Sequence, residues 1–233
     1  MESCSTIEVR GVPVEVARKR MRYIRLRVKR DGVVVLSLPW HTAVKDGLDF
    51  LLSKWDWVVA ARTKALARRE APPPQFADGD TVLLFGRHLR LEIAEVPYGG
   101  NLVELVGDVV RLYQSAPTTP ERRGRLIAAF RAARLREKLS ALVGEWLARL
   151  GEGPVNWSVR DMATEWGSCT KTRRTMRFNL QLALVPHECV EYVVVHELTH
   201  LRVANHGPDF KALMDARMPD WRARRKALNA FRI

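Results

Sequence analysis

Glu191-Tyr192-Val193-Val194-Val195-His196-Glu197-Leu198-Thr199-His200-Leu201, followed by His206, is the stretch on which the reading of this chain turns. Its apolar residues recur at helical spacing, which predicts a buried helix carrying two histidines at i and i+4. On a helix those positions lie one above the other, so both imidazoles reach a single ion without distorting the backbone. Glu197 is rotated about 100° from His196 at ~3.6 residues per turn, beside the pair rather than between the two imidazoles. There its carboxylate can hydrogen-bond a water on the ion instead of binding the ion. The pattern predicts a metal centre with His196 and His200 as ligands, Glu197 as general base, and the open position that hydrolysis needs.

A third protein ligand is expected, and His206 is the nearest candidate. A straight helix would carry it around and along the axis, so the chain must bend first. Asn205, one of the few non-glycine residues that visit the left-handed region readily, and Gly207-Pro208 predict that bend. The expected cofactor is one Zn2+ per chain, although imidazole also suits manganese, iron and nickel. The plainer alternative makes His196 and His200 satisfied core histidines and Glu197 a surface charge; a third histidine at such short range argues against it.

Outward from this helix, the last third of the chain is compact. Val155–Arg160 predicts a strand, Thr164-Glu165-Trp166-Gly167-Ser168-Cys169 a turn, and Arg174–Asn179 a second short strand. Helical segments are expected over about 187–204, 208–216 and 220–230. A long helix is predicted from Glu121 to Leu150, with Pro120 near its first position and Gly151 past its end. Earlier still, Arg22-Tyr23-Ile24-Arg25-Leu26-Arg27-Val28 alternates basic and apolar residues, a half-buried strand. Asp31-Gly32 supplies a turn, Val33–Leu38 returns as a strand, and a helix capped by Thr42 runs to about Ala67. Ala71-Pro72-Pro73-Pro74 is the clearest linker, and two hairpin-like stretches follow, over Val82–Ile93 and Leu102–Leu112. No repeat of solenoid period is visible. The expected division is a β-rich amino-terminal subdomain with one helix over 1–115, and a catalytic domain over 116–233.

The chain of 233 residues carries 39 Lys+Arg against 26 Asp+Glu, a formal net charge of +13, with 47% hydrophobic residues. That balance excludes global disorder, and no apolar run approaches the ~18 residues of a membrane span. The three cysteines Cys4, Cys169 and Cys189 form no CxxC pair, and no secretory signal is visible, which together point to a reducing cytoplasm. The positive excess suits an anionic partner; an arginine-rich solvated surface explains it equally well. Basic residues gather at Arg18-Lys19-Arg20, Arg22, Arg25, Arg27, Lys29 and Arg30, along the long helix, and at Arg222-Arg224-Arg225-Lys226. Few aromatics interleave with them, so phosphate contact without base readout is the most this pattern implies.

Within the cleft segment, Trp166, Gly167 and Ser168 are candidate substrate contacts, since glycine admits close backbone approach and a serine hydroxyl can donate to a substrate oxygen. Asn179 is a further candidate, with a satisfied buried amide as the alternative. Cys169 has no partnered histidine nearby and is not expected to be a nucleophile. His41, His88 and His187 are isolated and expected at the surface or its boundary.

These segments together resemble the YgjP-like metallopeptidases, relatives of the SprT-like and WLM zincins. The resemblance rests on Thr164–Cys169, Arg177-Phe178-Asn179-Leu180, Glu191–Leu201, Asn205-His206-Gly207-Pro208-Asp209-Phe210 and Met218-Pro219-Asp220-Trp221, in the family's order. Trp55-Asp56-Trp57-Val58 and Phe85-Gly86 extend it over nearly the whole chain. It implies an α+β fold with a zincin-like catalytic domain, His196, His200 and His206 on zinc, and Glu197 as base. Glu165 stands where the family usually has Arg, Lys211 where it has an aromatic, and Trp221 where it has Tyr. The function expected is a zinc-dependent peptidase acting on peptides or proteins. Three rivals share the metal site: a nucleotide phosphoanhydride hydrolase, a protease acting on DNA-bound proteins by analogy with the relatives, and a non-enzymatic module with a structural zinc. Three histidines beside a free glutamate leave an open position, which argues against the last.

Overall fold

The computed structural model describes residues 4–29, 31–70, 74–162 and 164–231, so Arg30 and the linker residues 71–73 lie outside the described residues. The chain divides into two compact units, Met1–Pro73 and Pro74–Ile233.

The first unit comprises β1 (Cys4–Val9), β2 (Val12–Lys19), β3 (Arg25–Val28), β4 (Val34–Pro39), α1 (Val44–Ser53) and α2 (Trp55–Glu70). Its sheet has the order β1-β2-β4-β3: two antiparallel hairpins joined by the parallel pair β2/β4. Arg25 and Arg27 are exposed while Leu26 and Val28 are half-buried, the alternation the sequence predicts. Val14, Val16, Val34, Leu36, Leu38, Leu51 and Val58 form the core. The single helix expected after Thr42 is two. It breaks at Lys54, where the Ser53 hydroxyl turns back onto the Phe50 carbonyl (2.7 Å), a local bond that competes with the helical ladder. Nor is Thr42 the cap. Ala43 occupies that position without a side-chain bond, and the Thr42 carbonyl accepts from Arg18 Nη1 at 2.9 Å.

The second unit runs β5 (Thr81–Leu84), β6 (Arg87–Glu95), β7 (Leu102–Val106), β8 (Val109–Gln114), α3 (Pro120–Leu150), β9 (Asn156–Arg160), β10 (Gly167–Thr170), β11 (Thr175–Asn179), α4 (His187–Thr199), α5 (Pro208–Arg217) and α6 (Trp221–Ala230). Strands β5–β8 repeat the first sheet's topology, in the order β5-β6-β8-β7 with β6 and β8 parallel. The molecule is thus α+β, with three small sheets and six α-helices among the described residues. None of those helices is long and apolar enough to cross a membrane.

Helix α3 begins and ends where its sequence says. The Thr119 hydroxyl accepts from the Arg122 N–H (3.3 Å), Pro120 takes the first turn, and Gly151 closes the helix at φ 60°. With 31 residues it is ~46 Å long, enough to serve two cores in succession. Its first half gives Ile127 and Phe130 to the β5–β8 sheet; its second gives Leu135, Leu139, Leu142, Val143 and Trp146 to the core around α4. Strands β5–β8 therefore belong to the same compact unit as α4, and the division expected at 115/116 does not coincide with the boundary between units. The tip of the β5–β6 hairpin explains why. Phe85 and Gly86 both take positive φ (48° and 76°), and their N–H groups bond the Ala183 and Leu184 carbonyls at 2.8 and 3.2 Å. A Cβ on Gly86 would fall 2.8 Å from the Pro186 ring. This turn pins the 3-10 segment Leu180–Leu184 that feeds directly into α4.

Candidate metal centre

Helix α4 is held on nearly all sides. Cys189, Val190, Val194, Val195 and Leu198 are fully buried, and only His196 and His200 among its later residues reach partial exposure. Above it lies the third sheet, in the order β10-β11-β9, with β9 and β11 parallel and β10 antiparallel to β11 at one edge. The segment expected to be a turn is partly this strand. Gly167–Thr170 has no apolar alternation to announce it, and its pairing with Thr175–Phe178 makes it a strand.

His196 of α4, His200 at its C-cap and His206 converge. Their Nε2 atoms stand 3.3 Å (His196–His200), 3.1 Å (His200–His206) and 3.0 Å (His206–His196) apart. Three ligands at ~2.05 Å from a tetrahedral ion would be ~3.3 Å from one another. The Val203 carbonyl, 3.0 Å from His200 Nδ1, can only accept, so Nδ1 is the donor of that bond and Nε2 is the nitrogen turned toward the other two rings. Burial, reinforced by His200, His206 and Arg225, pushes His196 down to about 3; burial, His200 and Arg225 also lower His206. His196 and His206 are therefore neutral near pH 7, the form that binds a cation. The donor set fits a divalent metal ion.

The bend that brings His206 back differs from the expected one. α4 stops at Thr199, not near 204, and turns bonded Leu201→Leu198, Arg202→Thr199 and Val203→Thr199 follow. Asn205 is not among the left-handed residues, and Gly207 is extended at φ −71°, ψ −168°. The Thr199 hydroxyl bonds back to the Val195 carbonyl (2.7 Å) and accepts from Arg217 Nη1 (3.0 Å), so the helix is ended by side-chain bonds rather than by a left-handed residue. Phe210, at the start of α5, then closes the triad from beneath, its ring centroid 4.8–4.9 Å from all three imidazoles.

Glu197 is 4% exposed, and among the described residues its carboxylate accepts no hydrogen bond. Burial, with a smaller push from Glu165, raises it to about 8. Gly167 lies directly against it: a Cβ there would be 2.6 Å from Glu197 Oε1. The glycine of β10 thus makes room for the carboxylate.

All four residues open on one cleft of about 690 Å³. β10 and its flanks line part of it, through Trp166, Gly167 and Ser168 among others. Asn179 does not. It is wholly buried, its Nδ2 donating to the Met162 (2.8 Å) and Glu165 (2.7 Å) carbonyls and its Oδ1 accepting from the Gln181 N–H (3.0 Å). It holds the segment leading into β10 and has no polar atom left for substrate. Cys169 lines the cleft half-buried, its thiol pushed up to about 11 by burial and by Glu197, which agrees with an inert thiol. His41 and His88 are exposed, and His187 stacks on Phe85.

The contribution of α6 to the lining, Arg225, Leu228 and Asn229, was not legible from sequence, where Arg225 was one of several surface charges. Tyr192 was missed too. Its hydroxyl lies 3.4 Å from His196 Nδ1, one turn back on α4, a spacing the sequence does contain.

Three converging imidazoles beside a buried carboxyl on one cleft are the features of a metal-dependent hydrolase. The model of the YgjP-like metallopeptidase domain matches residues 22–231, and the chain belongs to that family. Among solved structures it is similar to the zymogen of the metallopeptidase jannalysin from Methanocaldococcus jannaschii, with 24% identity over 34% of this chain and 79% of that one, TM-score 0.31. A second is the zymogen of abylysin from Pyrococcus abyssi, with 21% identity over 37% of this chain and 86% of that one, TM-score 0.34. No curated protein matches.

Proposed function

We propose that the chain is a zinc-dependent peptidase with a zincin-like catalytic part within residues 116–233, in which His196, His200 and His206 hold the ion and Glu197 is the general base. The observation that carries this is the mutual spacing of the three Nε2 atoms at a cleft, with the buried Glu197 carboxyl beside them. Zinc, when bound, lowers the pKa of water to about 7 and polarises a carbonyl oxygen. The protein's part is to position and to move a proton. Glu197, free of protein hydrogen bonds and seated against Gly167, takes a proton on its carboxylate and returns it to the leaving amine. Tyr192 and the Val203 carbonyl orient His196 and His200.

Trp166, Gly167 and Ser168 receive the substrate. Strand β10 is an edge strand along the cleft, so its unpaired backbone groups suit an extended peptide laid beside it as a further strand. The side of the triad facing the cleft is open, which supports a catalytic over a structural ion.

The test compares the metal-loaded protein and Glu197→Gln on casein, nucleoside triphosphates and protein–DNA conjugates, with and without chelator. Casein cleavage that chelator abolishes, and a loss of at least ~100-fold in Glu197→Gln with zinc still bound at one per chain, is expected. Phosphate release with intact casein would replace the peptidase reading by the nucleotide one.

A further inference from the structure

Three arginines stand on α6, and two are neutralised. Arg222 pairs with Asp215, and Arg224 pairs with both Glu191 (2.5 Å) and Asp220 (2.8 Å). Arg225 pairs with no carboxylate among the described residues, is exposed, and is the one that lines the cleft. Asn229, one turn further on the same helix face, lines it as well. The polarity of the cleft is divided. Its two acidic lining residues, Glu165 and Glu197, belong to the segment before β10 and to α4, and neither pairs with Arg225. On the β10 side Lys171 also lines the cleft, but its ammonium already donates to the Arg202 carbonyl at 2.9 Å. A negatively charged ligand group in the cleft is thus met on α6 by a guanidinium that no carboxylate among the described residues engages. The side-chain amide at i+4 supplies a further donor on the same face.

We infer that Arg225, with Asn229 beside it, receives a carboxylate of the bound peptide, so that the cleft selects acidic peptides with their negative group toward α6. This rests on the peptidase reading and adds the substrate class. The carboxylate has two sources, an acidic side chain or a free carboxyl terminus, and the substrates separate them.

Two peptide sets are to be assayed on the zinc-loaded protein, Arg225→Gln and Arg225→Glu. One set is amide-capped, with Asp or Glu exchanged for Asn or Gln at single positions; the other is neutral, with a free or amidated carboxyl terminus. The expected result is a preference of about five- to tenfold in kcat/KM for one carboxylate-bearing set. The preference is lost in Arg225→Gln and inverted toward lysine-bearing peptides in Arg225→Glu, with zinc stoichiometry and Tm unchanged. Equal rates for charged and neutral peptides in the parent, or an acidic preference that survives in Arg225→Glu, would overturn the assignment. Fluorescence anisotropy of the same peptides on zinc-loaded Glu197→Gln, with and without Arg225→Gln, reads the preference without turnover. If the parent cleaves no peptide, the peptidase reading fails. The anisotropy still decides Arg225: an acidic preference that Arg225→Gln removes supports it, and equal binding sinks it.

Discussion

Glu197 is the residue whose chemistry is most at odds with its surroundings, and that conflict can be measured. An isolated glutamate ionises near 4.5, whereas burial holds this one at about 8. Between those values the unfolded chain gives up a proton that the folded, metal-free protein retains, so this group makes stability fall as pH rises through the window. His196, held near 3 instead of its usual 6.5, works in the other direction and at lower pH: its effect is lost stability as pH falls below about 6.5. Glu197→Gln removes the first effect and leaves the second. Melting of chelated protein should therefore show the variant close to the parent at pH 5 and more stable by on the order of a few kcal/mol at pH 8. A variant that is stabilised and inactive marks a residue kept for chemistry; equal melting at pH 8 would refute a buried carboxylate. Phe210 shows the opposite balance. Phe210→Ala empties the space under all three imidazoles, with an expected cost of about 3–5 kcal/mol in folding and ~10-fold or more in zinc affinity by competition with a chromophoric chelator. At this scale the sequence was most legible where geometry is local. His196, Glu197 and His200 follow from helical spacing alone, while Asn179 could not be separated from a cleft residue, because a buried amide and a substrate contact look alike until their partners are seen.

Among the elements, α3 and α4 were readable because each combines apolar periodicity with a definite start or stop. β10 was not, because a four-residue strand containing glycine has no internal pattern; its conformation is imposed by β11. The end of α4 was misplaced for a related reason. Side-chain bonds from Thr199 and Arg217 stop the helix, and no sequence rule couples residues so far apart. β10 is nonetheless the element that the site depends on, and Gly167 is its test. In Gly167→Ala the added methyl must move either the carboxylate of Glu197 or the strand, since 2.6 Å is well inside contact distance. The expected outcome is a fall of ~10–100-fold in kcat with zinc stoichiometry unchanged, because the three histidines are on other elements and only the Glu197 carboxylate is displaced. An unaltered kcat would mean that the carboxylate has room to spare and that Gly167 matters only as a strand residue.

The whole molecule holds two sheets of one topology, β1-β2-β4-β3 and β5-β6-β8-β7, that the sequence does not reveal as a repeat. Identical strand order needs only alternating apolar residues and tight turns, Arg10-Gly11 in one and Phe85-Gly86 in the other, both at positive φ. The sequence reading groups both sets of strands in one β-rich subdomain over 1–115, yet the two sheets have different packing partners. The first has its own core with α1 and α2; the second shares α3 with the catalytic core and pins the segment that feeds α4. Two truncations separate these readings. Residues 74–233 keep both cores of the second unit and all three histidines, and should unfold cooperatively and bind one zinc. Residues 116–233 lose β5–β8, expose Ile127 and Phe130 at about 1.5–3 kcal/mol each, and lose the two backbone bonds that hold Leu180–Leu184. That fragment should be aggregated, or compact without a cooperative melt, and should bind zinc weakly, read by calorimetry and near-ultraviolet circular dichroism. A folded 116–233 fragment with the full chain's zinc affinity would restore the boundary at 115/116 and show that the β5–β6 hairpin does not support the metal helix.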